Sequence, residues 1–190
     1  SLDSTGLPLT AGTYTVTAVY EDDNNYGTKT ATLTILPKKV DIPAADTAVY
    51  TYDGTVKTYS IAATADYTVT GNTHTDANET GYTVTVALID KVNTTWADGT
   101  ITDQTYTFKI MKATPTGAPT YTKITTSGKT LADALHAIGT ITPTGGTLSW
   151  NDGDSHTGAA NTPYGWTYTP ADPNYENLTD FITPYEVTYY

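Results

Sequence analysis

The sequence predicts an all-β protein, on three observations: a composition rich in threonine and tyrosine, hydrophobic patterns of period two, and regularly spaced turn segments. Thr occupies 45 of the 190 positions and Tyr another 16. Both side chains suit the pleated, half-buried surface of a sheet, and both lose χ1 freedom in a helix. We therefore expect strands to dominate the chain.

The first 37 residues contain two strands joined by a polar loop. Residues 12–20 alternate strictly, so that Tyr14, Val16 and Ala18 share one face and threonines fill most of the other. The turn-forming segment 21–27 follows, and residues 28–36 alternate again, which predicts an antiparallel hairpin. A lone hairpin is marginal in water. We expect it to complete a sandwich begun upstream, to pack on the next unit, or to self-associate by edge pairing with another copy of the chain.

A tyrosine at the start of a strand, followed by an Asp–Asn loop, occurs three times. The tyrosine and the aspartate are eight residues apart each time, and the asparagine follows two or three residues later. The three sets lie about 70 to 80 residues apart, which predicts an internal repeat. We interpret them as scaffold, because Asp and Asn side chains fix turns. The nine residues are Tyr14, Asp22, Asn25, Tyr82, Asp90, Asn93, Tyr164, Asp172 and Asn174.

Linkers containing Pro37 and Pro115 predict the domain boundaries, because proline interrupts strand pairing. We expect the closing strands of a partial unit at 1–37 and complete units at 38–112 and 113–190. Each complete unit has about 75 residues, which suits a small seven-strand sandwich. Since a domain of that size buries only about 60% of its unfolded surface, its aromatic residues must supply much of the core. Trp96, Trp150 and Trp166 are the expected core residues.

Two local patterns predict further elements. Asp53-Gly54 is a turn signal between alternating runs, so we expect a hairpin over 47–62. In the segment 128–139, Leu131, Leu135 and Ile138 share a helical face, and Thr130 with Asp133 resembles a capping box. One short helix is therefore predicted near 130–138.

Composition excludes several classes of function. The net charge is −11, with nine lysines and no arginine. Nucleic acids and anionic membrane surfaces attract basic stripes, and this chain has none. The absence of cysteine removes disulfides, thiolate chemistry and Cys-ligated zinc. No apolar run of about 18 residues predicts membrane insertion. The acidic charge is typical of a soluble extracellular protein.

Three stretches of the chain resemble known bacterial repeats. Residues 9–35, LTAGTYTVTAVYEDDNNYGTKTATLTI, resemble the closing strands of bacterial immunoglobulin-like repeats. Residues 49–112 resemble repeats of the MBG-like kind, which occur in large surface proteins of gut Gram-positive bacteria. The stretch 117–183, from GAPTYT to TDFIT, is similar to repeats found in the same proteins. The resemblance implies tandem immunoglobulin-like β-sandwich domains in an exported array, secreted or wall-attached, that spaces, displays or adheres.

Catalytic chemistry has few candidates. His74, His136 and His156 lie in no recognisable motif, and we interpret them as exposed residues without function. The close pairs Asp152 with Asp154 and Asp22 with Asp23 could serve glycoside hydrolysis, but all four aspartates stand in turn contexts. The sequence therefore predicts that the chain is not an enzyme.

Cofactors are not expected either. The segment 151–155, NDGDS, lacks the ligand spacing of an EF-hand loop, although a structural calcium site using Asp41 or Asp46 stays an alternative. An intramolecular isopeptide bond from Lys57 or Lys109 would need a partner asparagine that no motif selects.

Two functional hypotheses follow. The first is a non-enzymatic spacer, display or adhesion segment of a surface protein. The second is a carbohydrate-binding module attached to an extracellular glycan-active enzyme, with Trp150, Tyr52 and Tyr59 as candidate ligand contacts. A glycan or a matrix protein, of the host or of microbes, is the expected class of partner.

Overall fold

A computed structural model describes residues 3–134 and 136–186, and the all-β prediction is confirmed. By the density of its internal packing the chain forms two compact units. The first comprises Ser1–Thr47, Thr58–Thr73 and Tyr82–Phe108, and the second comprises Ala48–Lys57, His74–Gly81 and Lys109–Tyr190. The described strands are β1 Gly12–Glu21, β2 Tyr26–Ile35, β3 Lys38–Val40, β4 Tyr50–Thr51, β5 Lys57–Thr58, β6 Tyr67–Thr70, β7 Thr73–His74, β8 Asn78–Leu88, β9 Thr94–Trp96, β10 Gln104–Met111, β11 Thr120–Tyr121, β12 His136–Ala137, β13 Thr147–Trp150, β14 Tyr164–Thr169 and β15 Leu178–Ile182.

Strands β1 and β2 form the predicted antiparallel hairpin. Their register runs from Gly12 opposite Ile35 to Glu21 opposite Tyr26. Directly opposed residues of an antiparallel pair point to the same face, so Val16 shares one face with Ala31 while pairs such as Thr15 and Thr32 fill the other. The side chain of Val16 is 49% exposed. The apolar face of this hairpin is therefore open to solvent.

Strands β8 and β10 lie at the centre of a four-stranded sheet in the order β4–β10–β8–β6. Alternate residues of β8 are buried, namely Val84, Val86 and Leu88. In the first unit, Trp96 on β9 is fully buried and donates its indole N–H to the carbonyl of Thr102 at 2.7 Å. Strand β9 pairs in parallel with β3, so the linker after the hairpin is joined to this core.

The hairpin predicted over 47–62 does not form, although its turn does. Asp53 Oδ1 accepts the Thr55 N–H at 2.9 Å, and Gly54 has the positive φ of +78° that the turn requires. Strand β4 instead pairs in parallel with β10, and β5 pairs with β7. An Asp–Gly turn fixes only its own residues, so other strand edges can take the flanking segments.

The second unit contains an antiparallel sheet in the order β13–β14–β15, with Trp150 opposite Trp166 and Tyr164 opposite Ile182. The predicted core tryptophans are all buried: Trp96 is 0% exposed, Trp150 4% and Trp166 3%. This confirms them as core residues. The buried hydrophobic cluster of this unit consists of Ile124, Leu131, Ala134, Ile141, Trp150, Tyr164, Trp166, Tyr168 and Tyr185.

The helix predicted near 130–138 is wrong. Only Leu131–Asp133 form a single 3-10 turn, and β12 follows and pairs with β11. Asp133 accepts the Thr130 N–H at 2.9 Å, as in the predicted cap. However, the N–H groups of Leu131 and Ala132 donate to the carbonyls of His156 and Asp154, which holds this backbone against a neighbouring loop. Leu135 lies outside the described residues. In the described part of the chain, no helix is long and apolar enough to cross a membrane.

Candidate functional site

The Asp–Asn loops are closed by the aspartate side chain. Asp22 Oδ1 accepts the N–H of Asn25 at 2.8 Å, Asp90 Oδ1 accepts the N–H of Asn93 at 3.0 Å, and Asp172 Oδ1 accepts the N–H of Asn174 at 2.9 Å. These loops follow β1, β8 and β14 respectively. A side-chain oxygen that accepts backbone donors two or three residues ahead is the turn chemistry that the sequence predicts.

Hydrogen bonding lowers the pKa of two of the loop carboxyl groups. For Asp22 the largest cause is the hydroxyl donated by Tyr20, followed by the backbone N–H of Asn24. For Asp90 it is the side-chain amide of Asn93, followed by the backbone N–H of the same residue. Donors that bond the charged form favour it, so these two aspartates hold their loops most firmly when they are ionised.

Asn93 joins its loop to residues far away in the chain. Its side-chain Oδ1 accepts the Ala11 N–H at 2.8 Å, just before β1. Its backbone carbonyl accepts the Lys38 N–H at 2.8 Å, where β3 begins. The parallel β3–β9 ladder, with Lys38 opposite Thr94, continues from this point. One asparagine therefore bonds both the segment that enters the hairpin and the linker that leaves it.

Asn174 makes the same set of contacts in the second unit. Its Oδ1 accepts the Ala77 N–H at 2.8 Å, just before β8. Its backbone carbonyl accepts the Ala113 N–H at 3.0 Å, in the linker after β10. Its Nδ2 donates to Asp76 at 3.3 Å, and a parallel bridge joins Ala113 to Tyr175. We call the contacts of Asn93 with Ala11 and Lys38 the first joint, and those of Asn174 with Ala77 and Ala113 the second joint.

Tyr52 lies beside the second joint. Its ring lies edge-on to Tyr175 with centroids 5.6 Å apart, and its hydroxyl is 3.4 Å from Asp172. Partial burial, and then the negative charge of Asp172, raise the pKa of Tyr52. This candidate ligand contact is half-buried.

Two of the tyrosines that begin the repeated strands bond the backbone of their own entry segments. Tyr14 donates its hydroxyl to the carbonyl of Thr10 at 2.7 Å. Tyr164 accepts the Ala159 N–H at 2.7 Å. Tyr82 packs against Phe108 with ring centroids 6.2 Å apart. A hydroxyl that bonds backbone a few residues upstream is the interaction found in a tyrosine corner.

The other two candidate ligand contacts are core residues. Trp150 and Tyr59 are each 4% exposed, so neither presents a ring face on which a sugar could stack. Trp150 packs against His136, with centroids 5.4 Å apart. Tyr59 packs 5.6 Å from Phe108 and accepts the Asp46 N–H at 3.0 Å. Their size and hydrophobicity favour the interior of the fold.

The histidines are less exposed than expected. His74 and His136 are half-buried, which corrects the expectation of exposure for both. His136 lies on β12 with its Nε2 3.3 Å from the carbonyl of Leu148. His156 is exposed, and its ring lies 5.4 Å from that of Tyr164.

The carboxylates and lysines considered for glycoside hydrolysis, calcium binding or an isopeptide bond are either exposed or paired with nearby groups. Asp46 accepts the Ser60 N–H at 2.7 Å, whereas Asp41, Asp152 and Asp154 are exposed. In the described residues, no group of three or more His, Asp or Glu side chains is placed to hold a metal ion. Lys57 pairs with Asp53, and Lys109 is exposed. An isopeptide bond needs a buried lysine beside an asparagine; Lys109 is exposed, and the ammonium group of Lys57 is paired with Asp53.

Sequence reasoning missed the partners of the joint asparagines. Ala11, Lys38, Ala77 and Ala113 contribute backbone N–H groups, so their side chains carry no signal of the contact. Only their positions in the chain indicate the contact: two of them stand just before a repeated strand, and the other two stand just after the last strand of a hairpin or sheet.

Comparison with known proteins gives no relative: no family model, curated protein or solved structure matches this chain.

Proposed function

We propose that the chain is a non-enzymatic spacer and display segment of a secreted or cell-surface bacterial protein. In this proposal, a partial immunoglobulin-like unit at 1–37 is followed by complete units at 38–112 and 113–190, and the joints limit bending between consecutive units. The observation that carries the proposal is the recurrence of one contact set, in which Asn93 and Asn174 each bond a strand-entry alanine and a linker residue. A joint that recurs with the same chemistry supports a role in regular spacing.

The immunoglobulin-like sandwich is part of the proposal. Its support comes from the antiparallel strands with one buried face, such as β8, and from the tyrosine hydroxyls that bond backbone upstream of β1 and β14. Extracellular location, secreted or wall-attached, is supported by the net charge of −11 and the lack of cysteine, which fit a bacterial exported protein. Adhesion to a glycan or a matrix protein would be a further role of the same segment.

The alternative function, a carbohydrate-binding module, needs a flat row of exposed aromatic rings. Among the described residues, Tyr20, Tyr26 and Phe181 are the most exposed aromatics, at 61%, 71% and 67%. Tyr20 lies opposite Gly27 and Tyr26 lies opposite Glu21, so the two tyrosines point to opposite faces of the hairpin. This arrangement favours the spacer over the glycan module.

Distance measurements between spin labels test the spacer proposal. Because the chain has no cysteine, two introduced cysteines label it uniquely. Exposed Thr30 on β2, in the segment 1–37, and exposed Thr105 on β10, in the segment 38–112, are suitable positions on the two sides of the first joint. We expect one narrow distance distribution for the parent chain. Asn93→Ala should broaden it, and the control Asn24→Ala, at an exposed residue whose side chain is not part of the joint, should leave it narrow.

Two results would contradict the proposal. A broad distribution in the parent chain would mean that the joint does not restrict bending. Micromolar or tighter binding of one defined oligosaccharide in a glycan screen would favour the carbohydrate-binding module instead.

A further inference from the structure

The chain carries a third Asp–Asn loop whose asparagine bonds no distant segment. Asn25 is exposed, and its side-chain amide donates to Asp22 at 3.1 Å. Within the described residues, nothing donates to its Oδ1, the atom that in Asn93 and Asn174 accepts an alanine N–H. The next residue, Tyr26, is 71% exposed, whereas Tyr175 in the second joint is packed against Tyr52. The loop Asp22–Tyr26 is therefore the acceptor half of a joint without its donor.

A third strand-entry alanine supplies the matching donor half. Ala160 stands four residues before Tyr164, as Ala11 stands three residues before Tyr14. In both places the tyrosine hydroxyl bonds the residue just before the alanine, Thr10 in one case and Ala159 in the other. No acceptor for the Ala160 N–H occurs in the described part of the chain. Ala160 thus resembles Ala11 in lying shortly before a tyrosine whose hydroxyl bonds the preceding residue. Ala11 directly precedes β1, whereas Ala160 lies four residues before β14 begins and has no asparagine acceptor among the described residues.

We propose that the chain associates head to tail with a second copy of itself, through a joint in which Asn25 Oδ1 of one copy accepts the Ala160 N–H of the other. The two joints already within the chain show that such a loop and such an entry segment fit each other. The contact uses two different surfaces, so each further copy can add in the same way. This inference depends on the joint geometry and is independent of the spacer role.

The backbone carbonyl of Asn25 has a partner within its own loop. This carbonyl accepts the Asp22 N–H at 2.9 Å, in the position where a linker N–H bonds in the two formed joints. A carbonyl oxygen has two lone pairs, so this bond does not block a linker donor. The side-chain Oδ1 is the atom that the association requires, and it is exposed with its residue.

The association should be weak. Within one chain, the short linkers hold the two halves of a joint at an effective concentration on the order of 1 mM. Two separate copies lack that advantage, so their contact should match the occupancy of a joint within one chain only at about the same protein concentration. Sedimentation equilibrium between micromolar and millimolar protein measures this directly. We expect the weight-average mass to rise above the 20.3 kDa of the monomer at the upper end.

Two single variants each remove one half of the contact. Asn25→Ala removes the acceptor, and Ala160→Pro removes the donor N–H. Each variant alone should stay at the monomer mass over the whole range, while the control Asn24→Ala should associate like the parent chain. An equimolar mixture of the two variants keeps one intact acceptor and one intact donor. It should form dimers and nothing larger, which also shows that both variants are folded.

Three outcomes would overturn the proposal. The first is a monomeric parent chain at about 1 mM. The second is association of Asn25→Ala that equals that of the parent chain. The third is a mixture that remains monomeric while near-ultraviolet circular dichroism shows both variants to be folded, since that would exclude a head-to-tail contact between these two halves.

Discussion

Replacing Asn174 with alanine tests whether the second joint is one cooperative contact. The substitution removes the Oδ1 that accepts the Ala77 N–H at 2.8 Å and the Nδ2 that donates to Asp76 at 3.3 Å. It leaves in place the backbone carbonyl of residue 174, which accepts the Ala113 N–H at 3.0 Å. The perturbation is therefore confined to side-chain atoms, while a neighbouring backbone hydrogen bond can report on the joint.

The magnitude follows from the burial of the donor. A typical hydrogen bond contributes about 0.5–1.5 kcal/mol net, and a buried donor left unpaired costs about 1–3 kcal/mol. Ala77 is half-buried, so water partly replaces the lost acceptor. We expect a free-energy change of about 1–2 kcal/mol, which corresponds to a change of about 5- to 30-fold in the equilibrium for opening the joint.

Amide hydrogen exchange followed by NMR measures this opening residue by residue. The Ala77 amide should exchange faster in Asn174→Ala, because its acceptor is gone. The Ala113 amide should exchange faster by a similar factor, because opening of the joint exposes both donors together. Asn177→Ala is the matched control, since Asn177 is exposed and lies three residues away in the same segment.

Unchanged exchange at Ala113 would refute the reasoning. In that case Ala77 alone would respond, and the contacts of Asn174 would be independent hydrogen bonds. Equal rates at Ala77 in Asn174→Ala and in the control would show that its side-chain contact contributes nothing measurable.

Three more outcomes are expected. Folding lowers the pKa of Asp90 from its usual 3.8, so this carboxylate should stabilise the loop above pH 3.8 and lose that effect as the pH falls through the lowered pKa. In an NMR titration, the amide shift of Asn93 should therefore change with a midpoint below 3.8. A midpoint at or above 3.8 would contradict this prediction. Trp96→Ala should lower the free energy of unfolding by about 3–5 kcal/mol in urea titrations, because the side chain is fully buried; a loss under about 1 kcal/mol would place Trp96 outside the cooperative core. Gly117→Ala should destabilise the chain more than Gly128→Ala in the same titrations. Both glycines have positive φ, but only at Gly117 would the new Cβ clash with a backbone atom, the carbonyl oxygen of Thr140. Equal losses of stability would show that the strain of the positive φ alone decides.

Much of the strand content was predictable, because period-two alternation depends only on neighbouring residues. Strands β1, β2 and β8 occupy the segments that the alternation indicated. The internal geometry of the Asp–Asn loops was equally accessible, since Asp90 bonds Asn93 only three residues ahead. Burial of the large tryptophans also followed from their hydrophobic area.

Some sequence patterns fit more than one secondary structure or strand pairing, and contacts with distant residues decided between them. The apolar spacing around Leu131 suits a helix, but the carbonyls of Asp154 and His156 accept its backbone donors and leave one 3-10 turn. The turn at Asp53 formed as predicted, yet the strand before it pairs with β10. In each case a partner distant in sequence outcompeted the local preference.

The joints show the same division between local and distant information. By itself, the sequence determined that each aspartate would close a loop and that an asparagine would follow it, because those bonds span only a few residues. The tertiary structure alone decided what the asparagines hold, since Ala11 lies 82 residues from Asn93 and Ala77 lies 97 residues from Asn174. Both donors are backbone N–H groups, which every residue except proline possesses. Only the folded arrangement of the strands could select them.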